Sequence, residues 1–276
     1  MLLPPDNRIM NRRTFIRGAL TTTIAAVAGT SIYAYGNDTH DIEITHIPLK
    51  LGLNQPLRLV ALGDIHFDPL YEEAYIERVS NLVTGLGADL IVYTGDFVTA
   101  SASRAGNLAD LLSRSTSRLG SFAVPGNHDH WTGLGTITRA LEKRGIRVLC
   151  NQSIELPGED SVHLTGLDSL WAGEPNLKIV SRTPEHSRHV LLVHEPDSFT
   201  QLDDPRIKLQ ISGHTHGGQI RIPFYGALIL PRFGRDFETG LFTRGEQSLY
   251  VNRGIGTLMP HVRFNCRPEI TVFELT

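Results

Sequence analysis

The sequence predicts an α/β fold in which two mixed β-sheets pack together and helices cover them. Two patterns lead to this prediction. Short apolar segments alternate with helical patterns between residues 57 and 145, as parallel βαβ units require. The C-terminal half is instead rich in strand patterns, at residues 162–166, 248–252 and 270–275. The 276 residues are 41% hydrophobic and 20% charged, so the chain can bury a sizeable core.

Three amphipathic segments are predicted to be helices. Residues 72–86 place five apolar side chains at helical spacing. A second helix contains residues 108–112, and a third contains residues 137–141 and ends near Gly145. A polar linker at residues 37–56 includes the short edge strand predicted for residues 42–45.

Five apolar segments end at side chains that can bind metal ions. These predicted strands are residues 57–62, 89–93, 121–124, 189–193 and 207–211. In open α/β sheets, ligands bind beyond the carboxyl ends of the strands. A polar turn after one strand is ordinary, but five such clusters are more than packing requires. The clusters are Asp64 with His66, Asp96, Asn127 with His128 and Asp129, His194, and His214 with His216.

The segment Gly213-His214-Thr215-His216-Gly217-Gly218 is the most informative of these clusters. Neutral imidazole is a common ligand of first-row transition metals. The surrounding glycines allow a tight turn and leave room above the ligands. Mixed carboxylate, amide and imidazole ligands favour Mn²⁺, Fe or Zn²⁺ over a thiolate-rich zinc site or an all-oxygen Mg²⁺ or Ca²⁺ site.

The order Asp-x-His, Gly-Asp, Gly-Asn-His-Asp, His and Gly-His-x-His resembles the calcineurin-like metallophosphoesterases over roughly residues 57–276. Further segments, among them residues 194–198 (HEPDS) and 265–269 (NCRPE), look like those of the bacterial YaeI-type phosphodiesterases. The resemblance implies a four-layer α-β-β-α sandwich of two mixed sheets. No ligand position of the family pattern is missing. Glu195, after the lone histidine, is a departure from that pattern.

The resemblance also implies two divalent metal ions, for which we expect Mn²⁺, with Fe or Zn²⁺ as alternatives. A pair of such ions activates a bridging hydroxide for attack on phosphorus and neutralises the charge that develops there. The first ion is assigned to Asp64, His66, Asp96 and His216. The second is assigned to Asp96, Asn127, His194 and His214.

His128 is next to a ligand in the sequence but is not assigned as one. We expect it to hold a phosphate oxygen or to protonate the leaving group. Asp129 is expected to orient the His128 imidazole. The alternative for Asp129 is a helix cap before Trp131 and Thr132.

Substrate contacts are harder to predict. Residues 224–235 mix apolar side chains with arginine, which suits a phosphorylated lipid, with Arg232 and Arg235 at the phosphate. The alternative is a hairpin whose apolar face belongs to the core. Arg253 and Trp171 are further candidates for substrate binding, and both also suit a purely structural role.

Residues 1–40 are predicted to form a separate targeting segment, followed by a catalytic domain at residues 41–276. Residues 11–17 (NRRTFIR) resemble a twin-arginine export motif, and residues 18–35 contain no charged side chain. Cleavage after residue 28 and retention as a membrane anchor both remain open. Each outcome places the enzyme in the periplasm or on the outer face of the inner membrane. The alternative is a disordered N-terminus with two chance arginines.

Charge and cysteine content narrow the function. The net charge of −3 and the sequence pI of about 6.5 do not indicate a basic surface, so nucleic acid is not expected as a partner. Cys150 and Cys266 are expected to be buried free thiols rather than a disulfide.

The sequence therefore predicts a binuclear metal-dependent phosphodiesterase that acts on a phosphodiester or phospholipid-like substrate. The expected partners are the twin-arginine export machinery and the membrane. The alternatives are a UDP-2,3-diacylglucosamine pyrophosphate hydrolase of lipid A synthesis and a phosphomonoesterase. A non-catalytic binding module is disfavoured, because such a module should have lost ligands.

Overall fold

The structure is a computed structural model that describes residues 39–67, 73–158 and 161–276. Most of the predicted targeting segment, residues 1–38, lies outside the described residues. None of the helices in the described ranges is both long and apolar enough to cross a bilayer.

The first sheet has six strands. They are β1 (Glu43–Leu49), β2 (Leu57–Leu62), β3 (Leu90–Tyr93), β4 (Ser121–Ala123), β5 (Ile146–Val148) and β14 (Glu269–Leu275). Their order is β1-β14-β2-β3-β4-β5, and only the β14–β2 pair is antiparallel. The edge strand predicted near residue 42 is therefore present as β1, paired with the last strand of the chain.

The second sheet also has six strands. They are β6 (Gln152–Glu155), β7 (Val162–Gly166), β8 (Arg188–Leu192), β9 (Ile207–Ser212), β12 (Gly240–Arg244) and β13 (Gln247–Val251), in the order β12-β13-β9-β8-β7-β6. The four central strands are parallel and both edge pairs are antiparallel. A small hairpin of β10 (Arg221–Ile222) and β11 (Gly226–Ala227) projects separately.

The two sheets pack face to face because their strands alternate. Leu59 and Val92 of the first sheet share one buried cluster with Val190 and Ile211 of the second. Val60 and its alternate neighbours point the other way, toward the helices. Successive side chains of a strand lie on opposite faces, so each sheet contributes to two apolar layers.

The described residues contain four α-helices, and all except the third supply core residues against the outer face of the first sheet. They are α1 (Glu73–Gly85), α2 (Ala105–Leu112), α3 (Asn127–Thr132) and α4 (Leu134–Lys143). In the ranges that the structure describes, the outer face of the second sheet is covered instead by short 3-10 helices, among them Val180–Arg182 and Pro196–Thr200. The predicted sandwich of two mixed sheets is confirmed, and 3-10 helices form its fourth layer.

Both cysteines are free, as expected from the sequence. Cys266 is buried, and its thiol lies 3.2 Å from the carbonyl oxygen of His216. Cys150 is only partly buried, and burial raises its pKa to about 11. The raised pKa keeps the Cys150 thiol protonated at neutral pH, so it is not an activated nucleophile.

Candidate metal centre

Six of the seven predicted metal ligands lie in one buried cluster at the carboxyl ends of the central strands, and the seventh, Asn127, is buried after β4, at the start of α3. Three loops of the first sheet and two loops of the second contribute these ligands, so the cluster joins the two sheets. The ligands follow β2 (Asp64, His66), β3 (Asp96), β4 (Asn127), β8 (His194) and β9 (His214, His216).

The cluster has two halves. Asp64, His66 and His216 form one group, and Asp96, His194 and His214 form another, with the ligand atoms of each group within 4.8 Å of one another. A third group, His66, Asp96 and His128, overlaps both of them, so the division between two ions stays a prediction from the family resemblance.

Asp96 lies between the two halves. Its Oδ2 is 3.5 Å from Nε2 of His66 and 3.1 Å from Nε2 of His194. Its Oδ1 accepts a hydrogen bond of 2.9 Å from the backbone N–H of His128. One carboxylate therefore faces both groups while a backbone hydrogen bond fixes its orientation.

Backbone carbonyls fix the tautomers of two histidines. Nδ1 of His194 lies 2.7 Å from the carbonyl oxygen of Thr94, and Nε2 of His214 lies 2.8 Å from that of Arg232. A carbonyl only accepts, so each of these nitrogens carries the proton. The remaining nitrogens, His194 Nε2 and His214 Nδ1, are 3.1 Å apart and beside Asp96. With both rings neutral, three electron-pair donors face one another without a hydrogen, which is the arrangement that a cation requires.

The pKa values of the cluster histidines are shifted in different directions. Burial lowers the pKa of His66 to about 3 and that of His214 to about 4, so both rings are neutral, as metal ligands must be. Burial also lowers the pKa of His194, but the charge of Asp96 and the hydrogen bond to it raise this pKa well above its usual value. The cluster thus favours a positive charge between Asp96 and His194.

The seventh ligand is an amide. Asn127 is buried at the start of α3, and its Oδ1 has no hydrogen-bond partner among the described residues. A buried carbonyl oxygen without a partner costs about 1–3 kcal/mol. A metal ion of the second group would satisfy it. The donor set of carboxylate, amide and imidazole suits a divalent transition metal.

The backbone at the cluster is strained. Five of the ligands, although not glycine, have φ between 47° and 74°. Such a conformation costs about 1–3 kcal/mol per residue and clusters at functional sites. The residues are Asp64, His66, Asp96, His214 and His216.

Two glycines allow the loops to approach this closely. A Cβ on Gly213 would lie 2.2 Å from Oδ2 of Asp64, and one on Gly126 would lie 2.2 Å from Oδ1 of Asp96. Any side chain at either position would displace a ligand.

His128 lies at the edge of the cluster, and its Nδ1 is 2.9 Å from the carbonyl oxygen of Thr99. The expectation that Asp129 orients this imidazole is wrong. The carboxylate of Asp129 accepts 2.9 Å hydrogen bonds from the backbone N–H groups of Asp96, Phe97 and Gly126 instead. Asp129 therefore caps α3 and fixes the loop that carries Asp96, and the Thr99 carbonyl orients His128.

Two tryptophans form an aromatic rim with two histidines of the site. The Trp131 ring lies 5.0 Å from that of His128 and 5.0 Å from that of Trp171, and the Trp171 ring lies 5.7 Å from that of His214. Both tryptophans are exposed. Trp171 lies beside the cluster, and its role in substrate binding stays a prediction. Trp131 was considered only as a neighbour of a helix cap.

The segment after His194 holds two loops around the site. The buried Glu195 accepts hydrogen bonds from the backbone N–H groups of Leu170 (2.8 Å) and Trp171 (3.2 Å). Asp197 accepts one of 3.1 Å from the backbone N–H of Arg235. The departure from the family pattern at Glu195 therefore has a structural function, because this carboxylate positions the loop that contains Trp171.

Arg263 is a buried residue that the sequence did not reveal. Its guanidinium donates to the carbonyl oxygens of Arg253 (2.7 Å), Gly256 (2.7 Å) and His216 (3.3 Å). These bonds satisfy a charge that would be costly to bury alone. They hold the loop that packs behind Asp64, where a Cβ on Gly254 would lie 2.5 Å from that of Asp64.

The three arginines predicted to bind substrate differ in their surroundings. The backbone of Arg232 contacts His214 while its side chain is exposed, and the side chain of Arg235 is exposed as well. Arg253 instead pairs with Glu269 (3.1 Å) and Glu43 (3.2 Å) and lines a separate cavity. The structure therefore does not bring Arg253 to the cluster.

Comparison with known proteins gives a family match. The family model described as calcineurin-like phosphoesterase matches residues 57–218, which is more than half of the chain and includes all seven ligands. In fold, the chain resembles the protein TT1561 of Thermus thermophilus, with a TM-score of 0.50 and 13% identity, over 73% of this chain and 91% of that one.

Curated relatives cover nearly the whole chain. Uncharacterized metallophosphoesterase YkuE of Bacillus subtilis is 34% identical, over 96% of this chain and 98% of YkuE. Phosphodiesterase YaeI of Escherichia coli is 32% identical, over 97% of this chain and 100% of YaeI. UDP-2,3-diacylglucosamine pyrophosphatase LpxG of Chlamydia trachomatis is 27% identical, over 94% of this chain and 97% of LpxG. Together with the family match, these relatives show that the chain is a metal-dependent phosphoester hydrolase and belongs to the calcineurin-like phosphoesterase family.

Proposed function

We propose that this protein is a binuclear metal-dependent phosphodiesterase. The observation that carries the proposal is the convergence of six carboxylate and imidazole side chains, in which Asp96 faces both groups and backbone carbonyls fix two histidine tautomers. The choice of a diester is supported by the name of the YaeI relative, which is a phosphodiesterase and is matched over its entire length.

The first group of ligands would hold one divalent ion and the second group the other, with Asp96 shared and Asn127 completing the second group. Two ions bound there supply an activated water molecule and neutralise charge at phosphorus. We expect Mn²⁺, with Fe or Zn²⁺ as alternatives, because the donors are mixed oxygen and nitrogen.

His128 is the group that we assign to the phosphate or the leaving group. Because Nδ1 donates to the Thr99 carbonyl, only Nε2 is free to face a substrate. As an imidazolium, Nε2–H donates a hydrogen bond to a phosphate oxygen or a proton to the departing alkoxide.

A second candidate is hydrolysis of the pyrophosphate in UDP-2,3-diacylglucosamine. The name of the LpxG relative and an apolar cavity that shares His214 and His216 with the cluster favour it. A phosphomonoesterase remains the third candidate, because the ligand set alone does not choose between monoesters and diesters.

A substrate panel on protein of known metal content tests the proposal. We expect chelator-treated protein to be inactive and protein reloaded with Mn²⁺ to bind about two ions per chain. The reloaded protein should hydrolyse bis(4-nitrophenyl) phosphate faster than 4-nitrophenyl phosphate. Turnover of UDP-2,3-diacylglucosamine alone would favour the second candidate. A protein that binds two ions and hydrolyses none of the three would refute the proposal.

We also propose that the enzyme acts in the periplasm or on the outer face of the inner membrane. The support is the sequence of residues 11–35, with its paired arginines and uncharged stretch. Export would proceed through the twin-arginine machinery, and the same segment would contact the membrane.

Replacing Arg12 and Arg13 with lysine should leave active enzyme in the cytoplasm. The positive charge is preserved, so only a receptor that reads arginine itself would distinguish this variant. Fractionation and activity assays measure the effect, and Arg8→Lys, outside the motif, is the control. Unchanged delivery of the double variant would show that the segment is not a twin-arginine signal.

A further inference from the structure

An apolar cavity opens directly beside the metal cluster. Its volume is about 240 Å³, and His214 and His216 form part of its wall. The opposite walls are almost entirely hydrocarbon. They consist of Ile220, Leu228, Ile229, Pro231, Leu258 and Met259.

The polar side chains of the wall already have partners. The amide of Gln219 donates to the carbonyl oxygens of Leu258 (2.9 Å) and Pro260 (2.7 Å) and accepts from the backbone N–H of Leu258 (2.8 Å). The hydroxyl of Thr215 donates to the carbonyl of Glu238. A ligand in this cavity therefore finds hydrocarbon surface and few groups for hydrogen bonding, which suits an apolar chain rather than a sugar or a nucleobase.

Apolar side chains are also exposed, both on the wall of the cavity and on the hairpin that precedes Leu228 in the chain. Phe224 and Tyr225, at the tip of the β10–β11 hairpin, are exposed, as are Ile229 (81%) and Met259 (79%). These residues are not part of the core, so the hairpin does not have the structural role that the sequence left open. A contiguous exposed apolar patch marks an interaction site, whereas single exposed apolar residues do not.

The distribution of charged residues in the segment 222–235 suits contact with a lipid surface. Residues 222–231 contain no charged side chain, and residues 222–235 contain no acidic one. The exposed Arg232 and Arg235 follow the apolar stretch directly. Apolar side chains next to arginines are typical of protein segments that lie in the interface of a bilayer.

We propose that this cavity binds an acyl chain of a lipid phosphodiester whose phosphate lies at the metal cluster, and that the tip of the hairpin contacts the bilayer. The proposal rests on the proposed function and names its substrate class. The shared histidine wall is the main support, because a chain in the cavity places its head group at the ligands.

A chain-length series tests the cavity separately from the chemistry. Methyl, butyl and octyl 4-nitrophenyl phosphate have the same leaving group and differ only in the alkyl chain. We expect kcat/KM to rise at least about tenfold from methyl to octyl, because only the longer chain buries methylenes in the cavity. The double variant Leu228→Ser, Ile229→Ser should lose this rise.

Leu241→Ser is the matched control. Leu241 is 45% exposed, close to the 49% of Leu228, but lies on β12 away from the cavity. This variant should keep the full dependence on chain length. A flat series in the wild type would overturn the proposal, and so would an undiminished rise in the double variant. If a flat series accompanied dimer formation in sedimentation, the apolar face would instead be assigned to a second copy of the chain.

Two further measurements separate this proposal from the proposed function. If no ester is hydrolysed, the phosphodiesterase assignment fails, and calorimetry with octyl and methyl phosphate still tests the cavity. Wild-type protein should bind octyl phosphate at least about tenfold more tightly, and the double variant should not. Full-chain Phe224→Ser should bind phosphatidylglycerol-containing vesicles more weakly than full-chain Leu241→Ser. Equal binding would overturn the bilayer contact.

Discussion

Asp96→Asn should abolish diester hydrolysis and lower the bound metal from about two ions per chain to one or fewer. The carboxylate of Asp96 faces His66 in one group and His194 in the other. An amide in its place has one oxygen rather than two and no charge, so it cannot hold both ions. Turnover of bis(4-nitrophenyl) phosphate and elemental analysis of the same preparation measure the two effects.

Asp110→Asn is the control for the Asp96 variant. Asp110 is exposed and pairs with Arg144 at the surface, so removing its charge should leave metal content and turnover unchanged. Full activity together with two bound ions in Asp96→Asn would rule out a shared carboxylate.

His128→Ala should keep both ions and lose about 10²–10⁴-fold in kcat, the range of a general acid or base. The imidazole lies beside the cluster and is oriented through the Thr99 carbonyl, so its removal should leave the seven ligands in place. Metal analysis and steady-state kinetics on one preparation give both quantities.

A loss of metal in His128→Ala would point to a different role for this residue. A nitrogen of His128 lies within 4.8 Å of ligand atoms of His66 and Asp96. If metal content fell in step with activity, His128 would be a ligand and not an acid. The exposed His186 provides the control, because His186→Ala should change neither quantity.

The architecture was predictable because the buried strands of this chain correspond to apolar segments that can be recognised in the sequence. The segment 57–62 was expected as a strand and is β2, and residues 162–166 are β7 at the same limits. The cover of the second sheet was not predictable. Its outer face is closed by short 3-10 helices such as Pro196–Thr200, which are too short to produce an amphipathic pattern.

The ligand cluster was predictable because its residues combine metal-binding chemistry with positions at strand ends. Asp64 and His194 are far apart in sequence and follow strands of different sheets. Within each sheet, parallel strands bring their carboxyl ends to one edge, and the two edges meet at the cluster. The structure places six of the seven together, and their roles as ligands stay predictions that the metal analyses test.

Contacts to backbone atoms could not be predicted. Thr99 orients His128 through its carbonyl, which every residue type has, so no side chain marks the position. Arg263 likewise binds backbone carbonyls, those of Arg253, Gly256 and His216, and nothing in its sequence neighbourhood distinguishes it from a surface arginine. Asp129 was misassigned because its proximity to His128 in sequence suggested a contact, whereas its carboxylate points to backbone N–H groups.

The segment His194-Glu195-Pro196-Asp197 limits how this enzyme can acquire new substrates. His194 is a candidate ligand. Glu195 holds the loop that contains Trp171, and Asp197 holds the loop that contains Arg235. Exchanging either loop for one of another length would disturb the metal centre as well as selectivity. Point substitutions of outward-facing side chains, such as Trp131 or Ile229, leave that segment intact. Natural divergence and directed evolution should therefore alter selectivity through single side chains rather than through loop insertions.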